Sequence, residues 1–275
     1  MAAKTLDRRW IFLFLFIGVA LPLIFVIGLP IETTENVRAV YQMVEDTPAG
    51  STVLISFDYD PASKPELHPM GRALLQHCFE KDLKVIITAL WPMGVMMAND
   101  ILDDLQPSYP NKVYGQDYVN MGFKAGGMVT IQAMGKHFKG IYTTDSNGTP
   151  VENIPMMKHI DNFENIAFVI SLSAGAPGVK EWVQVAGDTY GRQVSSGVTG
   201  VSVSSVMPYV NEQKQLTGLL AGLKGAAEYE YLIGHPGTAT SGMDAQSLAH
   251  LIIIIFIIIG NITYWRNKKK QKKEV

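Results

Sequence analysis

Cysteine and charge are both scarce in this chain of 275 residues. Its one cysteine, Cys78, has no second cysteine to pair with, which excludes an intrachain disulfide. A folded domain of this chain must therefore be stabilised by its core. Charged residues make up 17% of the sequence, against about 25% in an average soluble protein. Together with a mean hydropathy of +0.12, this excludes a disordered chain, because disorder requires low hydrophobicity and high net charge.

Charge is missing altogether from one long segment near each end of the chain. Residues 10–31 contain no charged side chain, and a helix of about 20 residues is enough to cross a hydrocarbon core of about 30 Å. Residues 248–265 form a second, isoleucine-rich segment that is close to the lower length limit for a span. A helix that is apolar on every face needs lipid or a large core around it. The sequence therefore predicts two transmembrane helices.

Basic residues flank both segments on their outer sides. Lys4, Arg8 and Arg9 precede the first segment, and a basic run at 266–273 follows the second. The positive-inside rule then places both termini in the cytoplasm. The first segment is longer than a signal-peptide core and no small-residue cleavage site follows it, so we expect an uncleaved anchor. The predicted organisation of this integral protein of the cell membrane is a cytoplasmic tail at 1–9, a first span at 10–31, an extracytoplasmic domain at 32–247, a second span at 248–265 and a basic cytoplasmic tail at 266–275.

The formal net charge of −2 hides an uneven distribution along the chain. The two tails carry nine of the 23 Lys and Arg residues and two of the 25 acidic residues, which leaves 14 basic and 23 acidic residues, a net charge of about −9, between the spans. An acidic domain argues against nucleic-acid binding, so nucleic acid is not an expected partner. The lipid bilayer is an expected partner of the spans, and the basic tail is suited to anionic headgroups.

Apolar runs of strand length alternate with helical patterns between the two segments. The predicted strands are 52–57, 85–90 and 165–173, with weaker ones at 112–114, 140–144 and 198–206. The predicted helices lie within 32–50, at 65–81, 91–105 and 128–138, from 179, and at 213–232, and residues 234–242 form a flexible connection. Apolar strands that alternate with helices are typical of parallel sheets. We therefore predict a doubly wound, mostly parallel, three-layer α/β domain of Rossmann-like or flavodoxin-like type.

Acidic residues follow the first predicted strand, and open α/β sheets bind ligands at the carboxyl ends of their strands. Asp58 and Asp60 lie at this strand end, and Asp117 lies in an irregular stretch, 114–127, rich in aromatic residues and glycine. These carboxylates are the candidates for acid–base catalysis. Loop polarity and helix capping are the simpler explanation of the first two. The irregular stretch is typical either of a functional loop or of aromatic residues that cap a sheet edge.

Small and aromatic residues after the predicted strands suggest a ligand site. A tight turn rich in small residues follows the strand at 165–173, and its backbone N–H groups could converge on an anion. A tight strand-to-helix connection explains the same residues without a ligand. The candidate ligand-binding residues are Ser63, Trp91, Ser173, Gly175 and Gly178.

Sequence motifs that hold metals or cofactors are not found. The segment 171–180 matches neither the dinucleotide-binding nor the phosphate-loop spacing. The six histidines are scattered without a paired ligand spacing, and no Gly-x-Ser-x-Gly element is present. We therefore expect no metal and no cofactor.

Three glycines occur in the predicted helix at 213–232. Glycine costs a helix about 1 kcal/mol relative to alanine, so a helix that contains Gly218, Gly222 and Gly225 needs a closely packed neighbour. That neighbour is either part of the same domain or a second subunit. The three glycines are the candidate interface residues.

Two anchors and no recognisable catalytic set favour a non-catalytic binding or assembly subunit of an envelope or transport complex. Two spans are too few to form a transport path alone, so we expect a membrane-protein partner or a homo-oligomer. Two alternatives stay open. One is a hydrolase-like envelope enzyme that uses Asp58 and Asp60 with help from Asp117. The other is a small-molecule sensor whose ligand lies across the strand ends near Asp58, Trp91 and Ser173.

Overall fold

The computed structural model describes residues 8–211 and 213–271 of the chain. The backbone divides into two units. One unit joins the residues up to Pro30 with those from Pro236 onward, and the other runs from Ile31 to His235. The strands of the described residues all lie in the second unit, which we call the sheet domain.

A six-stranded parallel sheet is the centre of the sheet domain. Its strands are β1 (Thr52–Asp58), β2 (Lys84–Ala89), β3 (Tyr118–Phe123), β4 (Phe168–Ser173), β5 (Gln193–Val198) and β6 (Leu219–Ala221). They lie in the order β3-β2-β1-β4-β5-β6, and each neighbouring pair is parallel. The first strand, β1, therefore lies in the middle of the sheet, with β2 and β3 on one side of it and β4, β5 and β6 on the other. The predicted parallel α/β fold is confirmed, and the strand order is that of the Rossmann-like class.

Helices of the sheet domain connect the strands and cover both faces of the sheet. They are α2 (Glu35–Glu45), α3 (Lys64–Glu80), α4 (Gly94–Leu105), α5 (Met128–Lys136), α6 (Phe138–Ile141), α7 (Val179–Trp182), α8 (Val203–Val206) and α9 (Gly222–Leu232). A π-helical segment, Val183–Thr189, continues α7. Residues 53–57 of β1 are fully buried, because a central parallel strand is covered on both faces.

The stretch 114–127 contains β3, which the sequence does not predict. The strand is hard to recognise because Asn120 and Gly122 interrupt its apolar residues. Both are accommodated inside the fold, since the Asn120 side chain accepts a hydrogen bond from the Gly122 N–H at 3.0 Å. The predicted strand at 112–114 is wrong, because Tyr114 forms only an isolated bridge with Tyr118. The predicted strand at 140–144 is also wrong, because residues 138–141 form α6.

Two further predictions fail in the second half of the sheet domain. The β-branched run at 198–206 is not a strand, because β5 ends at Val198 and short helices follow. The helix predicted at 213–232 is instead a strand, β6, followed by the shorter helix α9. Gly222 has a φ of +58°, a left-handed conformation that suits glycine and allows the sharp change from strand to helix.

The remaining unit consists of two apolar helices, α1 (Arg8–Ile24) and α10 (Thr238–Gln271). Among the residues that the structure describes, one helix, Thr238–Arg266, is long and apolar enough to cross a membrane. The helix α1 has 17 residues, whereas the sequence predicts a span over the whole segment 10–31. The predicted connection at 234–242 is partly helical, because α10 already begins at Thr238.

A buried carboxylate of α10 holds the segment that follows α1. The Asp244 side chain accepts hydrogen bonds from the backbone N–H groups of Ile27, Gly28 and Leu29, at 3.1, 2.8 and 3.0 Å. A Cβ on Gly18 of α1 would overlap the Ile252 side chain of α10. The helices therefore approach closely and form one packed pair.

Candidate functional site

Asp58 is the last residue of β1. β2 and β3 lie on one side of β1 and β4 to β6 on the other, and Rossmann-like folds bind ligands at the carboxyl ends of the strands at this switch in strand order. The Asp58 side chain is fully buried. Oδ1 accepts hydrogen bonds from Ser56 Oγ at 2.6 Å and from the Leu90 N–H at 2.8 Å. Oδ2 accepts from Ser171 Oγ and from Trp182 Nε1, both at 3.0 Å. The carboxylate therefore joins β1 to β4, to the end of β2 and to α7.

The environment of Asp58 is unusual for a carboxylate. Burial raises the pKa of its carboxyl to about 6, although its four hydrogen bonds each lower it. A fully buried carboxylate with four donors has no free oxygen with which to contact a ligand. Asp58 therefore positions the strand ends, and it does not act as an exposed acid or base in this conformation.

Buried hydroxyl groups extend from Asp58 across the sheet, and sequence reasoning missed them. Thr88, Ser56, Ser171 and Ser196 lie on four adjacent strands and are paired in register. All four are fully buried. The Ser196 hydroxyl donates to the Ser171 carbonyl oxygen at 2.7 Å, whereas Thr88 Oγ1 has no partner among the described residues. The available signal was a pair of polar residues two positions apart at the end of an apolar strand, Ser56 and Asp58 in β1 and Ser171 and Ser173 in β4.

The other two acidic candidates do not meet Asp58 in one site. The Asp60 side chain accepts the Ala62 N–H at 3.1 Å and so caps a short 3-10 helix. Asp117 precedes β3 and accepts the Val113 N–H at 2.8 Å. Because the strands are parallel, Asp117 lies at the amino end of the sheet, opposite the carboxyl ends where Asp58 and Asp60 lie. The structure does not bring the three carboxylates together.

The turn after β4 is held by a set of short contacts. Ser173 Oγ donates to the Gly175 carbonyl oxygen at 2.7 Å, and the Gly178 N–H donates to Glu181 Oε2 at 2.7 Å. Trp91 Nε1 donates to the Pro177 carbonyl oxygen at 2.8 Å. The structure thus brings four of the five ligand candidates, Trp91, Ser173, Gly175 and Gly178, into one cluster. The fifth, Ser63, lies apart at the start of α3.

A crevice of about 230 Å³ opens beside this turn, at the carboxyl ends of β4 and β5. Val179, Val198, Val206 and Tyr209 form its apolar wall. Hydroxyl groups come from Ser173, Ser202 and Ser205, and a charged pair of neighbours, Lys180 and Glu181, completes the lining. Sequence reasoning missed the lining residues between 198 and 206, because that segment was assigned to a strand, and it also missed Tyr209 just beyond them. We call this cavity the β4–β5 crevice.

The serine hydroxyl groups of the β4–β5 crevice make local hydrogen bonds. Ser202 pairs with Thr199 at 3.0 Å and Ser205 donates to the Ser202 carbonyl oxygen at 2.7 Å. No histidine or cysteine lines the crevice. Across residues 8–211 and 213–271, no group of three or more His, Cys, Asp or Glu side chains could hold a metal ion.

The three glycines predicted at an interface are packed inside the sheet domain. A Cβ on Gly218 would lie 2.6 Å from the Asn36 carbonyl oxygen of α2, and one on Gly225 would lie 2.8 Å from the Leu220 backbone. A Cβ on Gly222 would lie 3.0 Å from Glu66 Oε2. All three are buried. Their close neighbours therefore belong to the same domain, which is one of the two alternatives that the sequence leaves open.

Known proteins do not identify the site. In comparisons with protein-family models, curated proteins and solved structures, nothing matches this chain.

Proposed function

We propose that this protein is a membrane-anchored, non-catalytic binding protein whose ligand occupies the β4–β5 crevice. The observation that carries the proposal is the position of the crevice, at the carboxyl ends of two parallel strands next to the point of chain reversal. Ligand sites of open α/β sheets lie outside the carboxyl ends of their strands. Its apolar wall and few hydroxyls suit a small organic molecule with an apolar body and a polar end.

The enzyme alternative is the weaker of the two. A catalytic acid or base must come within hydrogen-bond reach of the substrate. Asp58 is enclosed by Ser56, Ser171, Trp182 and Leu90, and the remaining strand-end acid, Asp60, serves as a helix cap. A binding function requires neither of them to react.

Filling the crevice should abolish ligand binding. Ser205 lines the crevice, whereas its neighbour Ser204 is exposed and does not. We expect compounds from a small-molecule library to raise the thermal unfolding midpoint of the full chain. A ligand at a hundredfold excess over its Kd stabilises the folded state by about 2.7 kcal/mol. Ser205→Phe should lose this shift and Ser204→Phe should keep it.

The outcome of that screen decides the proposal. The midpoint is measured for the full chain in detergent, with both variants checked first for unchanged unfolding without ligand. A shift that survives in Ser205→Phe would place the ligand elsewhere and contradict the assignment.

We also propose that both α1 and α10 span the membrane, with both termini in the cytoplasm. The support is the close packing of α1 on α10 and the exposure of large apolar side chains along both helices. Arg8 and Arg9 begin α1 and Arg266 lies towards the end of α10, which is the distribution of the positive-inside rule. The sheet domain between them would then be extracytoplasmic.

Thiol labelling tests this topology. The native Cys78 is buried and burial raises the pKa of its thiol to about 12, so it should not react. In intact cells a membrane-impermeant maleimide should label Ser204→Cys, and should label Lys269→Cys only after permeabilisation. Labelling of both sites, or only of Lys269→Cys, in intact cells would contradict the proposed topology.

A role as a subunit of a larger complex is the second candidate, and the exposed apolar residues favour it. In the sheet domain the large exposed apolar side chains are Met93, Met96, Val113, Met128, Val129, Val201, Met207 and Tyr231. All but Val113 and Tyr231 follow the carboxyl ends of β2, β3 or β5. We call those six residues the methionine rim. Exposed methionines are common at adaptable protein-binding surfaces.

A charge in the methionine rim should release a bound partner polypeptide. Val129 is 70% exposed within the rim, and Val113 is 45% exposed outside it. We expect Val129→Lys to lower the mass of the particle isolated in mild detergent, and Val113→Lys to leave it unchanged. A strictly monomeric wild-type particle, or equal masses for all three proteins, would count against this role.

A further inference from the structure

A second cavity lies between α4 and β3. β3 forms one edge of the sheet, and β2 and β1 separate it from the two strands of the β4–β5 crevice. The volume of this second cavity is about 200 Å³. The lining residues are Asn99, Leu102, Asp103, Gln106, Tyr114, Tyr118 and Asn147. We call it the edge groove.

Three polar side chains of the edge groove come from one helix stripe. Asn99 and Asp103 lie at positions i and i+4 of α4, and Gln106, the first residue after α4, keeps helical φ and ψ angles and continues the same stripe at i+7. Asn99 Oδ1 accepts a hydrogen bond from Asn120 Nδ2 at 2.8 Å, and this bond does not use the N–H donors of the Asn99 amide. The side chains of Asp103 and Gln106 make no hydrogen bond within the described residues. The stripe therefore offers unused donors and acceptors.

Two tyrosines and an anchored turn complete the edge groove. The rings of Tyr114 and Tyr118 meet edge to face, with centroids 5.5 Å apart. The Tyr114 hydroxyl donates to Asp145 at 3.0 Å. The same carboxylate accepts the N–H groups of Asn147 and Thr149, at 2.9 and 2.8 Å. Asp145 thus fixes both the tyrosine and the turn that presents the Asn147 side chain.

The residue types in the edge groove point to a neutral ligand. No Lys, Arg or His lines it, which disfavours a phosphate or carboxylate group. Asp103 is its single carboxylate, too few for a divalent cation. An amide group both donates to and accepts from neighbouring hydroxyls, a carboxylate accepts from them, and a tyrosine ring packs against aliphatic C–H groups.

We propose that the edge groove binds one unit of a saccharide. Its volume is comparable with that of a single sugar ring, and its polar groups suit vicinal hydroxyls. This site is independent of the β4–β5 crevice, so either assignment can fail without the other.

Ligand-observed saturation-transfer NMR tests the saccharide site. The full chain is placed in lipid nanodiscs, because glycoside detergents would compete for the groove. The probes are cellobiose, maltose and N,N′-diacetylchitobiose, with the zwitterionic peptide triglycine as a non-saccharide control, each at about 10 mM, where a millimolar site is mostly occupied. We expect transfer to at least one disaccharide and none to triglycine.

Matched variants assign the signal to the groove. Gln106→Ala and Asn147→Ala each remove exposed side chains, and each should weaken binding about fivefold, the effect of one lost hydrogen bond. Gln116→Ala removes an exposed glutamine outside the groove and should bind as the wild type does. The absence of transfer to any disaccharide, equal binding by Gln106→Ala, or binding of triglycine alone would overturn the proposal.

Discussion

Replacing Asp58 with asparagine should lower the thermal unfolding midpoint by on the order of 10 °C, since each kcal/mol lost is worth about 2–4 °C in a domain of this size. Each carboxylate oxygen of Asp58 accepts from one hydroxyl and one N–H group. Whichever way an asparagine amide is turned, its NH2 group faces the N–H of either Leu90 or Trp182. A buried donor left unsatisfied costs about 1–3 kcal/mol, and the loss of the charged hydrogen bonds adds to it.

The control for Asp58→Asn is Asp60→Asn. Asp60 accepts one backbone N–H at the start of a short helix, and asparagine caps helices as well as aspartate does. We expect a change of less than about 1 kcal/mol. Equal losses in the two variants would show that the four hydrogen bonds of Asp58 are not important for stability.

The stability difference between the wild type and Asp58→Asn should also depend on pH. The pKa of Asp58 is about 6 in the folded protein, above its ordinary value in an unfolded chain, so the folded state binds the proton more tightly. The contribution of Asp58 to the free energy of unfolding is therefore greatest below about pH 4. About 3 kcal/mol of this contribution is lost as the pH rises to about 6. Asparagine does not titrate, so the gap should widen as the pH falls below 6. A gap that is constant over this range would contradict the raised pKa.

Gly178→Ala should disrupt the turn beside the β4–β5 crevice. A Cβ at this position would overlap Ser173 Oγ and the Gly175 carbonyl oxygen. The turn would have to move, and forced overpacking of this kind costs about 1–3 kcal/mol. Because Ser173, Gly175 and Val179 line the crevice, ligand binding should fall more than stability does. The thermal midpoint and the ligand-induced shift, measured on one preparation, separate the two effects.

Gly175→Ala is the matched variant of the same turn. A Cβ on Gly175 would meet nothing closer than the Trp91 ring at 3.5 Å, an ordinary packing distance. We expect its stability to be within about 0.5 kcal/mol of the wild type, as for most surface changes. If Gly178→Ala behaves in the same way, the turn is more adaptable than its contacts imply.

Much of the fold could be predicted because the central strands are continuous apolar runs. β1 and β2 are buried on both faces and carry few polar residues, so their pattern is strong. β3 and β6 failed for a different reason, namely that their local residues do not favour strands. Gly122 interrupts β3, and glycines at 218 and 222 border β6. Only tertiary packing, such as that of Gly218 against α2, explains their conformation.

Less of the candidate site could be predicted. Strand-end reasoning found Ser173, Gly175 and Gly178, because residues after strongly apolar strands are easy to locate. It could not show that Asp58 is enclosed, since three of its four donors come from Leu90, Ser171 and Trp182, which lie 32, 113 and 124 residues away. It also missed Ser202, Ser205 and Tyr209, because β-branched residues nearby favour a strand that the helices around α8 replace.

Hydrogen exchange of the full chain, with and without a compound that raises its unfolding midpoint, tests most directly whether the β4–β5 crevice is the binding site. The account predicts slower exchange in the segments 173–181 and 198–209, which together line the crevice, and unchanged exchange at 99–106 in the edge groove. Protection confined to other segments, or no protection in either crevice segment, would contradict it.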